Sequence, residues 1–269
     1  MSSEEHTIFG KHPVRQLLEN RPERVFKLCV AEGLKRDPAL ESILDLAGQH
    51  RIRVQTMPRH KLDAMIRSAG EGADHLNHQG VVAVAAPRPL ESIAQLAARC
   101  QAMQPDSQGY PLVLLLDGVT DPRNFGAILR VADGAGVSGV VIAKRESAGF
   151  GPVVAKTASG AEETVPVTVV PNLSQALKTL KDSGFWVVGT AMSDKAVTYD
   201  RQDYAMPVVL VLGSEGKGIS RLVKEHCDFL VTIPMLGSVS SLNVSVATGV
   251  LLYEIRRQQG RFTSAPPAR

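Results

Sequence analysis

Apolar and polar positions alternate along this chain in two successive blocks, divided by a proline-rich break. Up to Ala86, short apolar runs are interleaved with amphipathic stretches. This pattern predicts a helix over 12–20 after a Gly-Lys-His-Pro turn and a strand over 24–31. A helix from Pro38 to about His50, a strand over 52–56, a helix over 58–68 and a strand over 80–86 follow. Proline at 38 suits a first helical position, where its missing N–H has no partner to lose. The first block reads as a small α/β unit with its own core, spanning 1–86. Pro87 and Pro89 end it. A connecting helix over 90–103 and a polar, turn-rich stretch at 104–109 (QPDSQG) place a linker at 87–109.

The second block, 110–260, is dominated by continuous apolar runs: 111–117 (PLVLLLD), 139–143 (GVVIA), 164–170 (TVPVTVV), 185–191 (FWVVGTA), 207–213 (PVVLVLG) and 229–234 (FLVTIP). Runs without polar alternation suit strands of a parallel sheet covered on both faces. Helical patterns lie between them. A last helix is predicted over 243–258, with Val246, Val250, Leu251 and Ile255 at helical spacing. Residues 261–269 read as a frayed tail.

Bulk properties narrow the class only modestly. The chain has 269 residues, a formal net charge of +3 and 44% hydrophobic residues. This is globular composition, with a mild basic excess that permits nucleic-acid binding without requiring it. No apolar run reaches the ~20 residues of a membrane span, and the polar, acidic start is unlike a signal peptide. Cys29, Cys100 and Cys227 are odd in number and far apart, the usage of reduced cytoplasmic thiols, and no pair has zinc-ligand spacing. His75 and His78 read as loop residues.

Several familiar motifs fail on context. Gly134, Gly136 and Gly139 spell G-x-G-x-x-G, but they follow a helix and precede a strand, the reverse of a dinucleotide site, so they read as a helix stop. Gly216-Lys217 lacks the Ser or Thr of a P-loop, since Gly218 stands there.

Three strand-end segments carry more. In 117–132 (DGVTDPRNFGAILRVA), Asp121 is a candidate helix cap and Pro122 fits the first turn. Phe125, Ile128, Leu129 and Ala132 form an apolar stripe, with Arg123 and Arg130 together on the opposite face. Spacing alone favours two solvated arginines; the sharper reading is a guanidinium pair for RNA phosphate. Asn124 lies in the first turn, near the strand end where α/β ligands collect. In 208–220 (VVLVLGSEGKGIS), a strand runs into a loop with three glycines and one carboxylate, Glu215, which by itself is better explained as a helix-start charge. In 233–247 (IPMLGSVSSLNVSVA), a long loop of small residues enters the last helix at Ser241 and Asn243. Capping is their ordinary role, but the loop is long enough to wrap a flat ligand with backbone groups.

Asn124 with Arg130, Leu-Gly-Ser-Glu-Gly at 212–216, and Ser-Leu-Asn-Val-Ser-Val-Ala at 241–247 together resemble the three ordered motifs of the SpoU (TrmH) family of RNA ribose methyltransferases. The resemblance covers the second block. Phe-Gly-Lys-His-Pro-Val at 9–14 and His-Gln-Gly-Val at 78–81 resemble the ends of the L30e-like substrate-binding domain of the branch that methylates 23S rRNA at a guanosine.

The resemblance implies an α/β fold with a SPOUT-type parallel-sheet domain tied in a trefoil knot, plus a small L30e-like domain that binds RNA. It implies S-adenosylmethionine as cofactor and a homodimer with the site at the subunit interface. It implies no metal and no membrane, and a cytoplasmic enzyme acting on a ribose 2′-hydroxyl. Asn124, Arg130, Glu215, Ser241 and Asn243 become the catalytic set. Thr190, Ala191, Leu212, Gly213, Gly216, Ile233, Met235 and Leu242 become the cofactor wall. Transfer RNA as substrate, a catalytically silent RNA-binding assembly factor, and a nucleotide-dependent oxidoreductase are the alternatives; the misplaced glycines disfavour the last.

Overall fold

The computed structural model describes residues 5–68, 77–103, 109–193 and 195–260. His75, most of the 104–109 stretch and the 261–269 tail lie outside these residues. The described chain forms two compact units, Met1–Pro89 with Gly149–Thr164, and Leu90–Ala148 with Val165–Arg269.

The first unit is built on a four-stranded sheet of order β1-β4-β2-β3, from β1 (His6–Phe9), β2 (Val25–Ala31), β3 (Arg53–Met57) and β4 (Val81–Ala85). Strand β4 runs antiparallel to both neighbours and β2 parallel to β3. Strand β1 was not expected; its four residues are too few to show a period. Side chains alternate between two cores as the two-residue strand period requires. Leu28 and Val30 face the core that also holds α1 (Lys11–Asn20) and α2 (Pro38–Gln49). Cys29 and Ala31 face the core holding α3 (Arg59–Arg67). Asp37 caps α2 by accepting from the Leu40 amide at 2.9 Å, with Pro38 at the first position. His78 is buried in the loop before β4: its Nδ1 accepts from Gly80 N–H at 3.0 Å, so Nε2 carries the proton and donates to Asp63 at 3.0 Å.

Residues Gly149–Thr164, read from sequence as part of the second block, pack with this first unit. They carry two short helices, α6 (Pro152–Ala158) and α7 (Ala161–Thr164). Between them Gly160 adopts φ +94°, and a Cβ there would sit 2.6 Å from Gln16 Cγ of α1. Buried Glu163 is ion-paired with buried Arg24, whose Nε and Nη2 also donate to Ala86 O at 3.2 and 3.0 Å.

The second unit is a seven-stranded, wholly parallel sheet of order β7-β6-β5-β10-β8-β11-β9. Its strands are β5 (Leu112–Asp117), β6 (Gly139–Ala143), β7 (Val167–Val170), β8 (Trp186–Thr190), β9 (Val197–Thr198), β10 (Val208–Gly213) and β11 (Phe229–Thr232). The expected 164–170 strand starts only at Val167, because Thr164 ends α7 and Pro166 has no N–H for the ladder. Leu112–Leu116 and Val208–Leu212 are buried throughout, as strands covered on both faces must be.

Helix α4 (Ile93–Gln101) was expected as a connector. It is instead part of this unit's core through Leu96, Ala97 and Cys100, and starts with a Ser92–Gln95 capping box. The stripe Phe125, Ile128, Leu129 and Ala132 is buried on α5 (Pro122–Gly134), which stops at the expected glycines. The unit also contains α8 (Leu173–Asp182) and a short α9 (Arg221–Lys224). The final helix α10 (Val244–Gln258) buries Val244, Thr248, Leu251, Leu252 and Ile255. Val246, expected on its apolar face, is 52% exposed, since the buried stripe advances through 244, 248, 251 and 255. Buried Arg256 donates to Ala135 O and to Tyr110 O, each at 2.9 Å, fastening α10 to the end of α5 and the approach to β5. Among the described residues no helix is long and apolar enough to cross a membrane.

Candidate active site

Strand order decides which loops meet. Strands β5, β10, β8 and β11 lie side by side and parallel, with Gly213 opposite Asp117, Val211 opposite Gly189 and Val231 opposite Thr190. Their C-terminal ends deliver their loops to one edge of the sheet. From β5 the chain steps outward through β6 and β7, then returns to β8 on the other side. Ligands of open α/β sheets collect at such a reversal.

The loop after β10 is folded tightly. Gly213 lies so close to the returning backbone that a Cβ would stand 2.0 Å from the Gly218 carbonyl carbon. Gly218 N–H donates to Ser214 O at 2.9 Å, closing a turn in which Gly216 and Gly218 take φ +82° and +66°. Asp117, at the end of β5, holds the far side of this loop: its Oδ2 accepts from Ser220 N–H at 2.7 Å. Sequence reading passed over Asp117 as a mere strand end.

This turn presents Glu215 to the start of α10. Asn243 is the N-cap of that helix: its Oδ1 accepts from Ser245 N–H at 2.9 Å and from Ser245 Oγ at 2.6 Å. Its Nδ2 donates to Glu215 Oε1 at 2.8 Å and to Asn124 Oδ1 at 3.0 Å. Asn124 Nδ2 reaches the same Glu215 oxygen at 3.2 Å, and Val244 N–H does so at 3.3 Å. One carboxylate oxygen thus takes three donors, from α5, from the cap residue and from the first turn of α10, where the helix dipole also favours negative charge. Residues 91 and 119 positions apart in sequence are fixed in one network.

Beside it lies a pocket of about 880 Å³, whose wall includes all eight residues expected to hold a cofactor: Thr190, Ala191, Leu212, Gly213, Gly216, Ile233, Met235 and Leu242. Glu215 and Ser241 line it too; Asn124, Asn243 and Arg130 do not. Arg130, like Arg123, is exposed on the outer side of α5, away from the buried stripe. The wall also contains Lys217 and Lys224, which sequence reading missed because both look like ordinary loop and helix lysines. An adenosyl thioether fits such a wall: Leu212, Ile233, Leu242 and Leu251 offer apolar contact, and the tight Gly213 turn leaves backbone groups for a ring edge. Burial, then the Asp228 carboxylate, push the Cys227 thiol up to about 11.

Residues 111–253 match the SpoU rRNA Methylase family. The chain belongs to that family. In this SpoU chain, residues 7–90 match the RNA 2′-O ribose methyltransferase substrate-binding family. It is 46% identical over 252 residues to the 23S rRNA (guanosine-2′-O-)-methyltransferase RlmB of Pseudomonas putida, covering 94% of this chain and 96% of that protein. The Pseudomonas aeruginosa protein of the same name is likewise 46% identical, with the same coverage. The AdoMet-bound rRNA methyltransferase of Sinorhizobium meliloti superposes with a TM-score of 0.74 at 25% identity, over 94% of this chain and 87% of that one. The SpoU methyltransferase AviRb of Streptomyces viridochromogenes shares the fold, with a TM-score of 0.76 at 24% identity over 96% and 90% of the two chains.

Proposed function

We propose that this SpoU chain transfers a methyl group from S-adenosylmethionine to the ribose 2′-hydroxyl of a guanosine in 23S ribosomal RNA. The observation that carries the reading is the Asn124–Glu215–Asn243 network at the edge of the 880 Å³ pocket. The cofactor, when bound, supplies a methyl already activated on sulfonium, so the protein's work is alignment and charge control.

Glu215, held by three donors, fixes the loop that forms one wall of the pocket and the N-terminus of α10 that forms another. Ser241 lies on the wall just before that N-terminus, where its hydroxyl orients the cofactor loop. Arg130 binds the RNA phosphate next to the target ribose and stabilises negative charge forming at the 2′-oxygen; a planar guanidinium, all donors and no acceptor, is better suited to that than to taking a proton. Its place outside its own chain's pocket wall supports a homodimer in which each pocket is completed by the partner. The strand order, with β10 inserted between the earlier β5 and β8, supports the knotted threading that the family resemblance implies. Residues 1–86 choose the RNA, 110–260 carry the chemistry, the enzyme works in the cytoplasm, and no metal takes part.

The test is methyl transfer from labelled S-adenosylmethionine to 23S rRNA, 16S rRNA and bulk tRNA in parallel, with the product nucleoside identified by mass spectrometry. Label recovered as 2′-O-methylguanosine from 23S rRNA alone is expected, and Arg130→Ala should abolish it while leaving the fold intact. Label in tRNA alone would overturn the substrate. Cofactor binding with no transfer to any RNA would make the protein a silent binding factor.

A further inference from the structure

Among the described residues the pocket wall carries three charged side chains, Glu215, Lys217 and Lys224. Glu215 is engaged by its three donors. The acids nearest Lys224 in sequence are engaged as well: Glu225 pairs with Arg221 at 3.2 Å, and Asp228 with Lys181 at 2.7 Å. Among the described residues neither pocket lysine enters an ion pair. Among the described residues the wall thus sets two lysines against one glutamate, with no ion pair holding either lysine.

The two lysines differ in their footing. Lys217 rides the turn between Gly216 and Gly218, both at positive φ with open space around them. Lys224 stands on α9: its N–H donates to Ser220 O at 2.9 Å, and its neighbour Val223 is buried in the core beneath the sheet. Its charge is felt at the Cys227 thiol, which packs against Gly189, the residue before Thr190 of the pocket wall. The backbone that carries Lys224 is thus held to the sheet at the β8 side of the pocket, and Glu215 to α10 at another.

We propose that Lys224 receives the carboxylate of the cofactor's methionine tail. This rests on the pocket being the S-adenosylmethionine site. That carboxylate is the only anionic group of the cofactor, and a cation at a built position gives it a charge-assisted hydrogen bond. With the adenosine against the apolar wall and the tail held at Lys224, the sulfonium between them is fixed from two sides. Lys224 is a positioning residue: it sets where the methyl sits and does not touch it.

The test is titration calorimetry of the full chain, wild type and Lys224→Met, with S-adenosylhomocysteine and with 5′-methylthioadenosine, which has the same thioether but no amino-acid tail. The variant should lose about tenfold in affinity for S-adenosylhomocysteine and nothing for 5′-methylthioadenosine, and Lys224→Arg should recover most of the loss. Equal loss for both ligands would make Lys224 merely structural and overturn the proposal. No loss for either would also overturn it, and if binding of an rRNA fragment weakened instead, the lysine would belong to RNA phosphate. A wild type that binds neither ligand would overturn the pocket's assignment itself, an outcome distinct from a failure of Lys224 alone.

Discussion

Glu215 directly precedes Gly216 and Glu162 follows Gly160 by two residues, both glycines at positive φ, and the surroundings of the two glutamates are opposites. Glu215 is exposed, yet one of its oxygens accepts three hydrogen bonds. Glu162 is 5% exposed, and among the described residues neither of its oxygens has a well-aligned hydrogen-bond partner, the Gly160 and Glu162 amides lying near but off line. Burial pushes its pKa up to about 8, the adjacent Glu163 adds to the rise, and the amides of Gly160 and Glu162 and the Arg88 guanidinium offset only part of it. One residue on, Glu163 solves the same burial by pairing with Arg24. Exposure is therefore no guide to which glutamate is fixed in place: the exposed one has its geometry determined by partners, and the buried one holds a proton for want of them.

The comparison can be broken most forcefully at Arg24. Arg24→Ala removes the ion-pair partner of buried Glu163, leaving the Arg88 guanidinium to offset part of its charge, and should cost about 3 kcal/mol of stability, read by urea denaturation; a loss under about 1 kcal/mol would show that the pair is not buried in solution. Next is Glu215→Ala. It should lower kcat about 100-fold by letting the pocket loop and α10 shift, while stability changes by no more than about 1 kcal/mol. Unchanged kcat would remove Glu215 from the site.

The third test separates the glutamates by pH. Below the ordinary carboxylate range Glu162 holds its proton folded or unfolded. Between that range and pH about 8 only the folded state holds it, so unfolding releases a proton and wild-type stability falls as pH rises, by up to about 1.4 kcal/mol per unit. Above that the contribution is gone. Glu162→Gln should remove this slope and gain on wild type from pH 6 to 9 in melting temperature; parallel curves would sink the idea. The smallest effect is at Gly216, where φ is +82° and a Cβ meets nothing within 4 Å. Gly216→Ala should cost only about 1 kcal/mol, from backbone strain alone. A larger loss would mean the turn holding Glu215 is tighter than its open surroundings indicate.

Where a segment's own pattern decides its structure, the sequence was readable. The buried runs of β5 and β10, the cap Asp121, the stripe on α5 and the cap Asn243 each follow from local spacing and turn chemistry. The three site segments were visible as strand-end loops, and their family resemblance supplied the order that spacing lacks. What stayed hidden is set by distant partners. No local signal says that Arg256 will reach Tyr110 and Ala135, that Asp117 will bind Ser220, or that Gly149–Thr164 will pack with the first unit. Val246 misled because an apolar residue at helical spacing does not reveal how wide the buried stripe is. Lys217 and Lys224 have no signature until the pocket around them exists.

A ribosome emits β5 and β8 before β10, yet β10 is the strand that lies between them and pairs with both. Until residues 208–213 appear, the nascent sheet has two open edges at its centre, with unpaired N–H and C=O groups along apolar strands. The last fastening comes later still, when Arg256 arrives to reach Tyr110, 146 positions earlier. Translation speed across the β8-to-β10 stretch and chaperone occupancy of those edges therefore become determinants of yield for this catalytic unit, apart from the stability of the finished molecule.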